Sequence, residues 1–306
     1  MPRPACDTRS VKVALLGFGL IGGSIAYALR RNPEDWTIAA WSPTGAGPAI
    51  ARAEELIDEA SDSPSRAIHG ADLVVIAAPP LAALELIDEL AGPLIVDLAP
   101  DALVTDVVST KSAIVARAEA ANVRFVGGHP MAGREVGGFD AARAELFSGR
   151  PWVVIPASTA REGDRQRVEG LAVACGGVPV TMSAGEHDTA VAAISHLPLI
   201  VAAALVESVA GGTGAERPGW QAASRLAATG WEGATRLARG DVAMGAGIAA
   251  TNGPAIAARV RELCDVLDGW LADLDATGSG PDRVAIEARL TTARDRLAAV
   301  EPEVTE

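Results

Sequence analysis

The chain holds four histidines, and one of them, His129, sits in Gly127-Gly128-His129-Pro130-Met131-Ala132-Gly133, directly after the apolar run Val123–Val126. A histidine between glycines and a proline is held on a stiff loop where backbone can approach a ligand. Its chemistry leaves two readings open, an acid–base group working near neutral pH or a structural imidazole held by hydrogen bonds. Ser109 lies in Asp106-Val107-Val108-Ser109-Thr110-Lys111, where a strand gives way to an expected helix Ser112–Ala121, and serine at such a junction most often caps the helix. Glu186-His187-Asp188 opens a later helix, with His187 expected to be exposed at its start. That helix carries Ile194-Ser195-His196-Leu197-Pro198, where Pro198 must kink it or free a carbonyl.

The second group with chemical potential is built from backbone. Val11–Leu16 is an apolar run that breaks at Gly17-Phe18-Gly19 and resumes with helical character from Leu20-Ile21-Gly22. Strand, glycine turn and helix with glycines at 17, 19 and 22 give the G-x-G-x-x-G spacing of a dinucleotide fold. The first glycine permits a tight turn, the second lets a pyrophosphate reach the backbone, and the third lets helix and strand pack closely. Phosphate oxygens would then meet the free N–H groups of the helix start. The next strand, Trp36–Trp41, runs into Ser42-Pro43-Thr44, without the carboxylate that holds the ribose 2′-hydroxyl in NAD-binding folds. Ser42 leaves room for a 2′-phosphate and can donate to it, so NADP is expected over NAD. Ser42 could also simply start a turn, and no arginine follows at once to pair the phosphate.

These groups need a scaffold, and the apolar patterning supplies one. Asp72–Ala78, Leu94–Leu98, Ala102–Val108, Val123–Val126 and Trp152–Ile155 read as further strands, alternating with helical segments such as Leu81–Leu90. That alternation predicts a mostly parallel, doubly wound α/β sheet, with ligands beyond the carboxyl ends of the strands. From about Met182 strand-like runs stop and Ala-rich helical pattern takes over. Ile256, Val260, Leu263, Leu267, Trp270, Leu271 and Leu274 recur at helical spacing. Residues 276–281 read as a linker, 211–214 as a loop, and Asp282–Val300 as a last helix. The expected organisation is a Rossmann domain over 1–182 and an all-helical domain over 183–306 whose apolar surface forms a homodimer.

At 306 residues, 49% apolar and 21% charged, the chain is an ordinary globular protein with room for two cores. The net charge of −13 argues against nucleic acid or an anionic membrane surface as a partner. Cys6, Cys175 and Cys264 are scattered outside any C-x-x-C, as expected of reduced thiols with no metal site. The first ten residues lack a signal-peptide apolar region, and the longest apolar run, Leu197–Val206, is about half a membrane span. A cytoplasmic protein is expected.

Taken together, GFGLIGGS, DVVSTK, GGHPMAG, EHDTAVAAISHLP and TRLARGD…ATN resemble the prephenate/arogenate dehydrogenases of tyrosine biosynthesis, in order from Val11 to about Asn252. HPMAG with SHLP is far more specific than the glycine fingerprint. The resemblance implies a Rossmann domain followed by a helical domain in an intertwined dimer. The implied activity is NAD(P)-dependent oxidative decarboxylation of a cyclohexadienyl substrate. It makes His129 the acceptor of the substrate's C4 hydroxyl proton, and has Ser109 hydrogen-bond that hydroxyl and orient His129. Ser195 and His196 are implied to line the substrate pocket, and Arg236 to hold a substrate carboxylate. The chain departs from many prephenate-type members at Leu199, where SHLPH would place histidine, and at Gly245, where tryptophan often follows Met244. Both departures resemble the arogenate-type, NADP-using branch. Alternatives are the same fold acting on a 4-amino analogue of prephenate, or a non-catalytic nucleotide sensor. A β-hydroxyacid dehydrogenase would need a lysine in the helical half, and the sequence has none after Lys111.

Overall fold

A computed structural model of the chain describes residues 10–134, 136–212, 214–275 and 280–300. Cys6, part of the loop expected at 211–214 and most of the linker expected at 276–281 lie outside the described residues.

The nucleotide-binding half alternates strands and helices: β1 (Val11–Leu16), α1 (Leu20–Arg31), β2 (Trp36–Trp41), α2 (Ala46–Ala53), β3 (Glu59–Ala60), α3 (Pro64–Ile68), β4 (Leu73–Ile76) and α4 (Pro80–Ala91). It continues with β5 (Leu103–Asp106), α5 (Ser112–Ala120), β6 (Phe125–Pro130), β7 (Pro151–Pro156), α6 (Asp164–Ala174) and β8 (Val178–Thr181). The sheet order is β3-β2-β1-β4-β5-β6-β7-β8, parallel except where β6 meets β7. Chain order reverses between β1 and β4, and a doubly wound sheet opens its ligand crevice at such a switch point.

Residues along one strand feed two cores. Val13 and Leu15 pack with Ile25, Leu29 and Ile38 on one face, while Ala14 and Leu16 pack with Ile68, Ile87 and Ile114 on the other. Burial on both faces explains why these strands read as continuous apolar runs. Leu94–Leu98 does not form the expected strand. It forms a 3-10 turn at Ile95–Asp97, with Ile95 and Val96 exposed. Pro93 and Pro100 bracket it and cannot donate to a sheet ladder, so β5 takes the place beside β4 instead.

Every element after β8 is helical: α7 (Ala184–Val191), a π-helical turn at Ala192–His196, α8 (Leu197–Ala210), α9 (Trp220–Ser224), α10 (Thr229–Thr235), a 3-10 turn at Arg236–Arg239, α11 (Val242–Leu274) and α12 (Arg283–Ala298). The π turn answers Pro198, which lacks an N–H and would press on the carbonyl of Ile194; the widened turn relieves both. α7, the π turn and α8 run on as one stretch, Ala184–Ala210, long and apolar enough by length and composition to cross a membrane. The run Leu197–Val206 alone did not suggest that length. α11 bends at Asn252, whose φ of −130° is not helical, two residues before Pro254.

The chain divides into two compact units at Ala255/Ile256, within α11. In the second unit, Arg289 on α12 pairs with Asp273 and lies 5.6 Å from the ring centroid of Trp270. Its Val266, Leu267, Leu271, Val284, Leu290 and Leu297 are exposed.

Candidate active site

A cavity of about 1170 Å³ opens beyond the carboxyl ends of β1, β4, β5 and β6. Small-molecule sites commonly measure about 300–1,000 Å³, so there is room for more than one ligand. One part of the wall is Gly17–Ile21, Trp41–Thr44 and Ala77–Pro79. Gly17 turns at φ +102°, and a Cβ there would lie 2.2 Å from the carbonyl oxygen of Ala77. A Cβ on Gly22 would lie 2.3 Å from the carbonyl oxygen of Gly17, whereas one on Gly19 would meet nothing within 4 Å. Two glycines therefore let α1 close on the strand ends, and the third keeps the cavity side open. No side chain caps α1, so its first N–H groups are available to an anion. Phe18, on the cavity wall, stacks on Phe139 with centroids 5.2 Å apart. The cradle fits the pyrophosphate of a dinucleotide.

His129, on β6, lines the same cavity together with Ser109 and Arg236. Its Nδ1 is 2.8 Å from Nε2 of His187, and Nδ1 of His187 is 2.8 Å from Oδ1 of Asp188. The carboxylate can only accept, so His187 donates from Nδ1 and accepts at Nε2. His129 must then donate from Nδ1, which leaves the lone pair of Nε2 for the cavity. Burial, with His187, Lys111 and His196 nearby acting in the same direction, holds the imidazole of His129 well below the ordinary histidine range. It is neutral at pH 7 and able to take a proton.

Asp188 has a second task. Its Oδ1 accepts the N–H of Lys111 and its Oδ2 that of Ser112, each at 2.8 Å. A carboxylate from α7 thus caps the start of α5, where the helix dipole favours negative charge. Burial alone would raise the Asp188 carboxyl, but hydrogen bonds from His187, Ser112 and Lys111 outweigh it and bring it to about 2.

Below His129 lies a fully buried ion pair. Lys111 Nζ pairs with Asp106 Oδ2, and both side chains are 0% exposed. Burial pushes Asp106 up and Lys111 down, and their mutual attraction opposes both shifts. Asp106 also accepts the N–H groups of Val108 at 2.9 Å and Gly128 at 3.1 Å. One carboxylate thereby ties the segment before Ser109 to the residue before His129. Asn252 closes the group, donating to the Asp188 carbonyl at 2.8 Å and lying 3.2 Å from Nδ1 of His196. Burial lowers His196 to about 4. Its Nε2 has no partner among the described residues.

The structure brings together Gly17, Phe18, Gly19, Leu20, Ile21, Ser42, Ser109, His129 and Arg236 on one cavity. Gly22 stands behind that wall as a packing contact. Two expectations change. His187 is 1% exposed, not a solvated helix start, because its ring bridges His129 and Asp188. Ser109 does not cap α5, since Asp188 holds the N–H groups there, and the ring bound to His129 is that of His187. Ser195 and His196 are not among the cavity-lining residues: the π turn faces Ser195 outward and His196 inward to Asn252. Asp106, Lys111, His187, Asp188 and Asn252 were missed as site residues. The signal available was a charged pair, Asp106 and Lys111, inside an apolar stretch where charge must be matched.

The nucleotide-binding domain model of prephenate dehydrogenase matches residues 25–178, and the dimerization domain model of prephenate dehydrogenase matches 183–277. The prephenate dehydrogenase of Bacillus subtilis is 34% identical over 269 residues, covering 86% of this chain and 68% of that protein. The chain spans 53% of the length of two further relatives. Arogenate dehydrogenase of Synechocystis superimposes with a TM-score of 0.73 at 29% identity, over 94% of this chain and 100% of that one. Prephenate dehydrogenase of Aquifex aeolicus, in complex with hydroxyphenyl propionate and NAD+, gives 0.81 at 25% identity, over 95% and 99%. With both halves of the chain matched and a fold in common, this protein belongs to the prephenate dehydrogenase family.

Proposed function

We propose that the chain catalyses NAD(P)-dependent oxidative decarboxylation of prephenate or arogenate, forming 4-hydroxyphenylpyruvate or tyrosine. The observation that carries this reading is the His129–His187–Asp188 chain of 2.8 Å contacts, which ends at His129 on the cavity that also holds the glycine cradle. A bound nicotinamide supplies a hydride acceptor. His129 takes the proton of the C4 hydroxyl, Ser109 hydrogen-bonds that hydroxyl, and Arg236 pairs with a substrate carboxylate through its planar donor fork. Loss of the ring carboxylate as CO2 completes an aromatic ring. Ser195 and His196, whose buried Nε2 has no partner among the described residues, are assigned to the substrate side.

Arogenate with NADP is the favoured pairing. Ser42 lines the cavity at the end of β2, where a carboxylate would repel a 2′-phosphate. Leu199 and Gly245 face each other in the cavity wall, a Cβ on Gly245 lying 3.7 Å from Leu199. The working division is a nucleotide domain over 1–182 and a helical substrate and dimerisation domain over 183–306. Its exposed apolar side chains suit a homodimer in the cytoplasm. Initial rates with arogenate and prephenate, each paired with NADP and NAD, test the reading. Cofactor reduction is expected with at least one ring substrate, fastest with arogenate and NADP. No reduction in any of the four would overturn it.

A further inference from the structure

We infer that His187 is a proton relay behind His129: it receives the Nδ1 proton of His129 as His129 takes the substrate's proton at Nε2, and Asp188 fixes it for that task. The inference rests on His129 being the base of the proposed reaction. The step balances. The substrate O–H bond breaks as His129 Nε2–H forms, and His129 Nδ1–H breaks as His187 Nε2–H forms. His129 ends neutral with its proton on the other nitrogen, and His187 ends as an imidazolium against the Asp188 carboxylate.

Geometry favours His187 as the holder of that charge. The groups packed around His129 are His187 and Asp188 of α7, His196 of the π turn, and Lys111 with Asp106 at the β5–α5 junction. Lys111 and both histidines oppose positive charge on His129, and the carboxylate of Asp188 touches His187. In a Ser-His-Asp site the carboxylate is too weak a base to take the histidine's proton. An imidazole, unlike a carboxylate, both gives and takes a proton through its ring nitrogens, so a proton can pass from His129 to His187 across a 2.8 Å contact. A base shifted down by burial would otherwise be a poor acceptor, and the relay removes that weakness.

The direct test is NMR of the full-length protein carrying 15N-labelled histidine. At neutral pH, His129 should be protonated at Nδ1 only and His187 at Nδ1 only. On acid titration the first proton taken by the pair should appear on His187 Nε2. A His129 protonated at Nε2 at neutral pH, or a first proton lodging on His129, overturns the relay. These readouts need no substrate, so they stand even if the proposed reaction fails. His187→Gln supplies the kinetic arm, because glutamine can accept from His129 and donate to Asp188 but cannot take a proton. Turnover should fall about ten- to hundredfold, with cofactor affinity and KM little changed. Wild-type kcat in His187→Gln would show His187 to be a mere spacer. If that variant fails to bind cofactor, the wild-type titration order alone decides.

Discussion

Two parts of the cavity wall are built by different means. The cradle is made of consecutive backbone, Gly17 to Gly22, and needs little beyond glycines and a helix start. The base part is made of side chains that meet across long stretches of chain. His129 to His187 spans 58 positions, and Lys111 to Asp188 spans 77. A backbone site is encoded where it lies. A side-chain site exists only once the fold closes, and it inherits the stability of buried charge.

The largest effect should come from breaking the buried charge. Asp106→Asn strands the ammonium of Lys111 in a dry interior and should cost about 3–5 kcal/mol of unfolding free energy. The double variant Asp106→Asn, Lys111→Met should cost less than the sum of the two. Urea denaturation checks both, and strict additivity would mean that the pair does not act as a unit.

Arg236→Gln should raise KM for the ring substrate about ten- to hundredfold, as expected for a lost charge-assisted hydrogen bond, and leave cofactor affinity alone. The exposure of Arg236 places the effect in that range. Cofactor affinity falling while KM held would move Arg236 to the cofactor part.

A pair of glycine variants sharpens the backbone side. Gly22→Ala forces a contact of 2.3 Å and should lose about 1–3 kcal/mol of stability together with cofactor binding. Gly19→Ala meets open space, so melting temperature should hold while cofactor affinity falls. Equal melting losses in both would show that Gly19 is a packing glycine as well.

The smallest effect concerns cofactor choice. Ser42→Asp should shift preference from NADP toward NAD by about tenfold, roughly 1.4 kcal/mol of like-charge contact. Competition at equal concentrations measures it. A wild type that already prefers NAD strongly would remove Ser42 as the determinant.

The same contrast explains what was legible in the sequence. β2 forms at the bounds its sequence predicts, because strand period is local. Leu94–Leu98 misled because its composition suits a strand while its flanking prolines do not. The sequence predicts an exposed His187 because a histidine at a helix start usually is; nothing nearby in sequence announces a partner on β6. Asp188 passed as a helix-start residue for the same reason, although the helix it caps is α5.

The central claim is that binding and chemistry are separable along one cavity. Calorimetric titration of His129→Asn with cofactor and substrate, beside its turnover number, tests this most directly. Asparagine can hydrogen-bond but cannot take the proton, so both ligands should bind as in the wild type while turnover falls about 10²–10⁴-fold. Near wild-type turnover, or a matching loss of cofactor affinity, would contradict it.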